Sequence, residues 1–190
     1  MRGLTQEDTA NTVLGADDID VDGVRGSFAL FSAINPNGLI VTSRMTGEVG
    51  TGDMSFQRAT ASLSAGHPLP FGLAGAFAVG GGMTWGEVPV QRQFFLGRSG
   101  TLRGFDNNEQ RGEAFWRARA EVATGFAAAR LALFSDVGWI GDRDALVFDD
   151  PFASVGGGAS FLDGLFRADL ARAAKRGSRW KLHLYMDGLF

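Results

Sequence analysis

Between Val24 and Phe190, apolar side chains recur at every second position in one short segment after another, and no stretch shows a convincing helical period. A period of two places successive side chains on opposite faces of a strand. The pattern therefore limits the chain to sheet structures. Val24, Phe28 and Leu30 alternate with Arg25, Ser27 and Ala29, up to the turn signal Asn35-Pro36-Asn37-Gly38. Leu39, Val41 and Met45 then alternate with Thr42, Arg44, Thr46 and Glu48. Ala59, Ala61, Leu63 and Ala65 follow against Arg58, Thr60, Ser62 and Ser64, and His67-Pro68-Leu69-Pro70 is expected to break that strand. A fourth segment sets Leu73, Phe77, Val79, Met83 and Trp85 against small residues only. Later strands carry Trp116 to Val122, Ala129 to Val137, Val155 to Phe161, Phe166 to Leu170 and Trp180 to Phe190. The expectation is an all-β antiparallel meander of about nine strands.

One segment interrupts the alternation, the stretch from Gly86 to Gly112, which is expected to be a long loop. Loops of this length are usually functional or disordered. Phe94, Phe95, Leu96, Leu102 and Phe105 make it too apolar for a solvated linker, so it is expected to fold back and pack. Residues 1–23 are polar and acidic. Within them Asp18-Ile19-Asp20-Val21-Asp22-Gly23 matches the first half of a calcium-loop signature, but Ala29 stands where the closing Glu should be. An acidic solvated segment over 1–23 is the preferred reading.

Composition excludes several functions. A net charge of -3 gives no general reason to expect nucleic acid. The absence of cysteine removes disulfides and thiolate metal sites. The two histidines, His67 and His183, lie on different strands with no carboxylate cluster, so no metal and no cofactor is expected. Gly97 and Gly100 lack the lysine and hydroxyl of a phosphate loop, and no nucleophile elbow is present, so an enzyme is not expected.

Two features favour a membrane barrel over a soluble sandwich. Short connections (Asn35–Gly38, Thr124–Gly125, Leu162–Gly164) coexist with long ones (Gly86–Gly112, Gly141–Pro151), as in outer-membrane barrels. The last segment alternates without interruption and ends on Phe190, where most soluble domains fray into polar residues. Charges in mid-strand (Arg44, Arg58, Arg117, Arg119, Glu121, Arg130, Asp136, Arg167 and Asp169) fit either architecture.

Arg103-Gly104-Phe105 resembles the arginine-glycine-aromatic loop motif of the BamA/TamA superfamily of outer-membrane assembly and secretion barrels. Phe134-Ser135-Asp136-Val137-Gly138 is similar to the Phe-x-Asp-x-Gly motif of that superfamily. Ser154-Val155-Gly156-Gly157-Gly158 and Phe166-Arg167-Ala168-Asp169-Leu170 are similar to its next two strands. Phe190, with Leu184, Met186 and Gly188 before it, resembles the C-terminal signal by which such barrels are inserted. The resemblance implies a loop-to-wall contact from Arg103, with Asp136 as partner and Glu121 as the second carboxylate. A guanidinium fork suits such a contact, Gly104 permits close approach, and Phe105 supplies an apolar anchor.

The same resemblance implies the outer membrane of a Gram-negative bacterium, surrounding lipid, client outer-membrane or secreted polypeptides, and a barrel assembly machinery for the chain's own insertion. Its implied mechanism is opening of a weakly closed strand seam beside Trp180–Phe190. Members of the superfamily carry sixteen strands, upstream POTRA domains and a signal peptide. Met1 to Asp8 lacks the apolar core of a signal peptide, so residues 24–190 are expected to be the C-terminal part of a barrel, from a fragment or a truncated gene model. Two other functions stay open, a passive barrel that anchors or exports a fused upstream domain and a soluble β-sandwich binding module.

Overall fold

The computed structural model describes residues 21–33, 38–97, 100–106, 110–124, 129–145, 150–162 and 165–186. Its strands are β1 (Val21–Ala33), β2 (Ile40–Gly52), β3 (Phe56–Leu69), β4 (Leu73–Gly86), β5 (Phe94–Leu96), β6 (Gln110–Gly112), β7 (Ala114–Thr124), β8 (Ala129–Gly141), β9 (Phe152–Phe161), β10 (Phe166–Ala173) and β11 (Lys181–Met186). Nine of them form one sheet in the order β1-β2-β3-β4-β7-β8-β9-β10-β11. Every neighbouring pair is antiparallel, as a meander of hairpins requires.

The register sorts the side chains into two faces. Arg44 lies opposite Ser62, Arg58 opposite Thr84, Arg119 opposite Asp136, and Asp169 opposite both Gly158 and His183. Charged positions thus share one face. The apolar positions of the alternation share the other, where Leu133 and Leu184 are each 73% exposed, while Asp136 and Asp169 are 0% exposed. Soluble domains bury in the opposite sense. Outward positions of the strands carry no full charge apart from Asp22 and Arg172, both near strand ends.

The segment between β4 and β7 folds onto the charged face. Phe94 and Leu96 pack with Ile140 against Phe115 and Phe152, and Leu102 and Phe105 pack with Ala173 against Phe152. Burying side chains of this size contributes about 1.5–3 kcal/mol each. Gly82 clears space for the segment, because a Cβ there would lie 2.8 Å from the Phe94 ring. The core of the described residues therefore lies between a loop and a sheet wall rather than between two layers.

The structure departs from the sequence expectation in three places. The long loop is not free of strand, because β5 and β6 pair within it. The third strand runs through Pro68 to Leu69, where a missing N–H costs little so near the strand end. The first strand begins at Val21, so Val21, Asp22 and Gly23 pair with β2. Asp18, Asp20, the Asn35–Asn37 turn, Gly188 and Phe190 lie outside the described residues.

Candidate functional site

The loop turns at Gly104 with φ +86, a left-handed backbone that glycine tolerates best. A Cβ there would lie 3.0 Å from both Arg172 C and Ala173 N, so a side chain would also press into the β10 backbone. This close approach carries Arg103 to the sheet, where its side chain is 0% exposed.

Three strands supply its partners. Arg103 Nε donates to Asp136 Oδ2 at 2.8 Å and Nη2 donates to Asp136 Oδ1 at 2.7 Å, a bidentate pair from β8. The Arg103 backbone N–H adds a third bond to Asp136 Oδ2, at 3.1 Å. Nη1 reaches Asp169 Oδ2 on β10 at 3.0 Å and Glu121 Oε2 on β7 at 3.3 Å. The guanidinium also stacks on Phe134, its carbon 3.3 Å from the ring centroid, a cation–π contact. Burial pulls the Arg103 pKa down, but hydrogen bonds and charge attraction from Asp136 and Asp169 outweigh it and hold it above its ordinary value.

Further arginines brace the carboxylates. Arg119 Nε donates to Asp136 Oδ1 at 3.1 Å. Arg167 holds both oxygens of Glu121, at 2.9 and 2.6 Å, and donates to Asp169 Oδ1 at 2.9 Å. From β11, the Tyr185 hydroxyl donates to Asp169 Oδ2 at 2.6 Å. His183 Nε2 accepts the Gly104 N–H at 3.1 Å, which requires that nitrogen to be unprotonated.

Two glycines of β9 give the cluster its room. A Cβ on Gly156 would lie 2.6 Å from the Phe134 ring, and one on Gly158 would lie 1.9 Å from Asp169 Oδ1. The small residues of Ser154 to Gly158 are thus the floor on which a ring and a carboxylate lie.

Of the other residues singled out in sequence, Phe105 packs edge-on against Phe152 at 5.7 Å between ring centroids. Gly138 lies opposite Arg117, whose Nη1 donates to the Gly100 carbonyl. Leu184 and Met186 face away from the site and are exposed. Sequence reasoning did not assign Asp169, Arg167, Arg119, Tyr185 and His183 to this site. All are inward positions of the alternation, but nothing in their spacing tells which strand faces the loop. It also missed a second contact, in which Arg92 of the loop pairs with Glu48 of β2 at 3.0 Å.

Each carboxylate of the cluster is bonded by at least two donors, and the cations are fixed by the same carboxylates. Such an array is suited to holding a loop in place rather than to moving protons.

The Omp85 superfamily domain matches residues 31–169 of the chain. Among solved structures the fold is similar to that of BamA from Haemophilus ducreyi lacking POTRA domains 1-3. The identity is 16% and the TM-score 0.67, over 83% of this chain and 40% of that one. It is also similar to CdiB from Acinetobacter baumannii, at 14% identity and a TM-score of 0.68, over 86% of this chain and 32% of that one. The chain therefore spans less than half the length of either structure. No curated protein matches it by sequence.

Proposed function

This chain belongs to the Omp85 superfamily, and from that premise we propose that it is part of a Gram-negative outer-membrane barrel that inserts or exports polypeptides. In this reading its loop is locked to the inner wall by Arg103. The observation that carries it is the pairing of an exposed apolar face with an opposite face holding a buried arginine on three carboxylates. The apolar face suits lipid, which accepts closed barrels and no free strand edges. The charged face is then the lumen, and the loop fills part of it.

The lock has a mechanical role. Arg103 ties the loop to β7, β8 and β10 at once, and His183 and Tyr185 extend the tie to β11. Strands held through a common plug move together, so opening is confined to the outer edge of β11. Its pairing with β10 covers only Phe166 to Ala171. That edge is where a client strand can add by main-chain pairing. No step of this mechanism is catalytic. The partners are lipid, the client chain and the machinery that inserts the barrel itself.

The test uses the full-length gene product. Depleting it should lower the levels of other outer-membrane proteins or of a secreted substrate, and the Arg103→Ala protein should restore them poorly. A passive anchor behaves differently, since depletion would then remove only its own fused domain from the surface and leave all other proteins at normal levels.

A further inference from the structure

The ion cluster divides the inner wall unequally. On β7, β8 and β10 the carboxylates Glu121, Asp136 and Asp169 consume Arg103, Arg119 and Arg167. On β1–β3 the inward charges are Arg25, Arg44, Arg58 and Glu48, and Glu48 is taken by Arg92. Among the described residues, Arg25 and Arg44 make no ion pair with a carboxylate, Arg58 lies opposite Glu48 and over the Phe94 ring of the loop, and Arg117 donates to a neutral carbonyl. A chain with a net charge of -3 therefore presents a surplus of positive charge on one part of its inner wall.

That part is shaped as a trough. The register sets Arg44, Ser62, Gly80 and Arg117 side by side on four adjacent strands. Three strand spacings separate the two arginines, about 14 Å along the wall. Between them lie Thr60, Ser62 and Ser64 of β3 and Ala76, Ala78 and Gly80 of β4, all small. Toward the short-turn end the floor widens into a hollow of about 420 Å³ lined by Ile40, Gly66, Ala76, Arg130 and Glu121, the last already held by Arg103 and Arg167. Phe31 and Ile40 are exposed on this inner face.

We propose that this arginine-edged trough binds acidic stretches of an extended polypeptide, and so selects the client class of the barrel. The proposal rests on the transport reading above. Its physical ground is the spread of the charges. Arg44 and the Arg25–Glu48 pair are four residues apart along β2, about 13 Å, and Arg117 lies across the wall, so the open guanidinia line a path rather than converge on one small anion. The exposed Phe31 and Ile40 and the hydroxyl-lined floor suit a chain with mixed side chains, which a nucleic-acid backbone is not.

The test is fluorescence anisotropy on the detergent-solubilised full-length protein. The probes are a labelled peptide alternating Glu and Asp with Ser and Val, and its Gln/Asn counterpart. The acidic peptide should bind at least about tenfold more tightly at low salt, and the difference should collapse at high salt. Arg25→Glu with Arg44→Glu should weaken binding by about tenfold or more, and Arg44→Gln by less in the same direction. Retained heat-modifiable gel migration shows that each variant is folded. Equal binding of the two peptides, or unchanged binding by the folded double variant, overturns the proposal. So does full displacement by millimolar inorganic phosphate, the mark of a small-anion site. Acidic-peptide binding without any effect of depletion on other proteins upholds the trough as a binding site and overturns the transport reading, and with it the selection of clients. Client loss on depletion without peptide preference removes the trough alone.

Discussion

Arg103 is wholly buried and contacts three carboxylates and a ring, so its removal leaves Asp136 and Asp169 buried with fewer donors. Breaking such a pair from one side typically costs about 3–5 kcal/mol. Arg103→Ala should therefore lower the temperature at which the full-length barrel loses its folded gel band, and Arg103→Lys should recover only part because an ammonium lacks the fork. Asp136→Ala should cost less than Arg103→Ala, because Arg103 keeps Asp169 and Glu121. The double change should fall short of the sum of the singles, the sign of direct coupling. Equal losses for Asp136→Ala and Arg103→Ala, or additive ones, would mean that the network is not what holds the loop. Gly158→Ala is a second probe at this scale. Its Cβ would lie 1.9 Å from Asp169 Oδ1, so the carboxylate must shift off Arg103 and Arg167, and the same melting assay should register the loss.

At the scale of elements, the strands were legible because alternation depends only on which face each residue meets. Leu131, Leu133 and Val137 against Phe134 and Asp136 is readable without any neighbour. The ribbon of β5 and β6 was not, since three residues on each side are too short to establish a period. Partners across the sheet were also hidden. Asp136 follows from a motif, but Asp169 lies 66 residues from Arg103, and only the register of β8, β9 and β10 brings it near. The Arg92–Glu48 pair belongs to the same class. Glu48 is 3% exposed and its second carboxylate oxygen has no hydrogen-bond partner among the described residues, so its one ion pair, to Arg92, compensates most of its burial beside the cross-strand Arg58. Arg92→Ala should leave that carboxylate without an ion pair, at a cost of about 1–3 kcal/mol. The first limb of the loop should then loosen while the Arg103 end stays tied, and limited proteolysis should cut within 87–97 faster than in the parent protein. Unchanged cleavage would show that Phe94 and Leu96 hold that limb without the ion pair.

For the whole molecule, the two ends of the sheet differ. By strand direction, 87–113, 142–151 and 174–180 connect strands at one end, together with the three-residue 53–55, while the connections at the other end, 34–39, 70–72, 125–128 and 162–165, are all six residues or fewer. Hydrogen bonds from Glu113 N to Gly141 O and from Arg143 Nη1 to Thr84 O join the long-connection end across three strands. Outer-membrane barrels carry long loops outside and short turns in the periplasm. On the proposed function, β11 should run toward the periplasm and Phe190 should lie there, where the insertion machinery would read it. Deleting Phe190 should lower the amount of full-length protein in the outer membrane, and equal amounts with and without it would remove its role as a signal. Asp144 gives the direct test of orientation. Its side chain is 91% exposed just beyond β8, at the long-connection end. The full-length protein contains a natural cysteine-free segment here, so a single Asp144→Cys change introduces the only thiol of residues 1–190. An impermeant thiol reagent should label that cysteine on intact cells. A cysteine placed at Phe71, 98% exposed in the turn between β3 and β4, should label only after the envelope is opened. The reverse pattern would turn the barrel over, moving the Arg103 loop to the periplasmic mouth and the trough's hollow to the outer one.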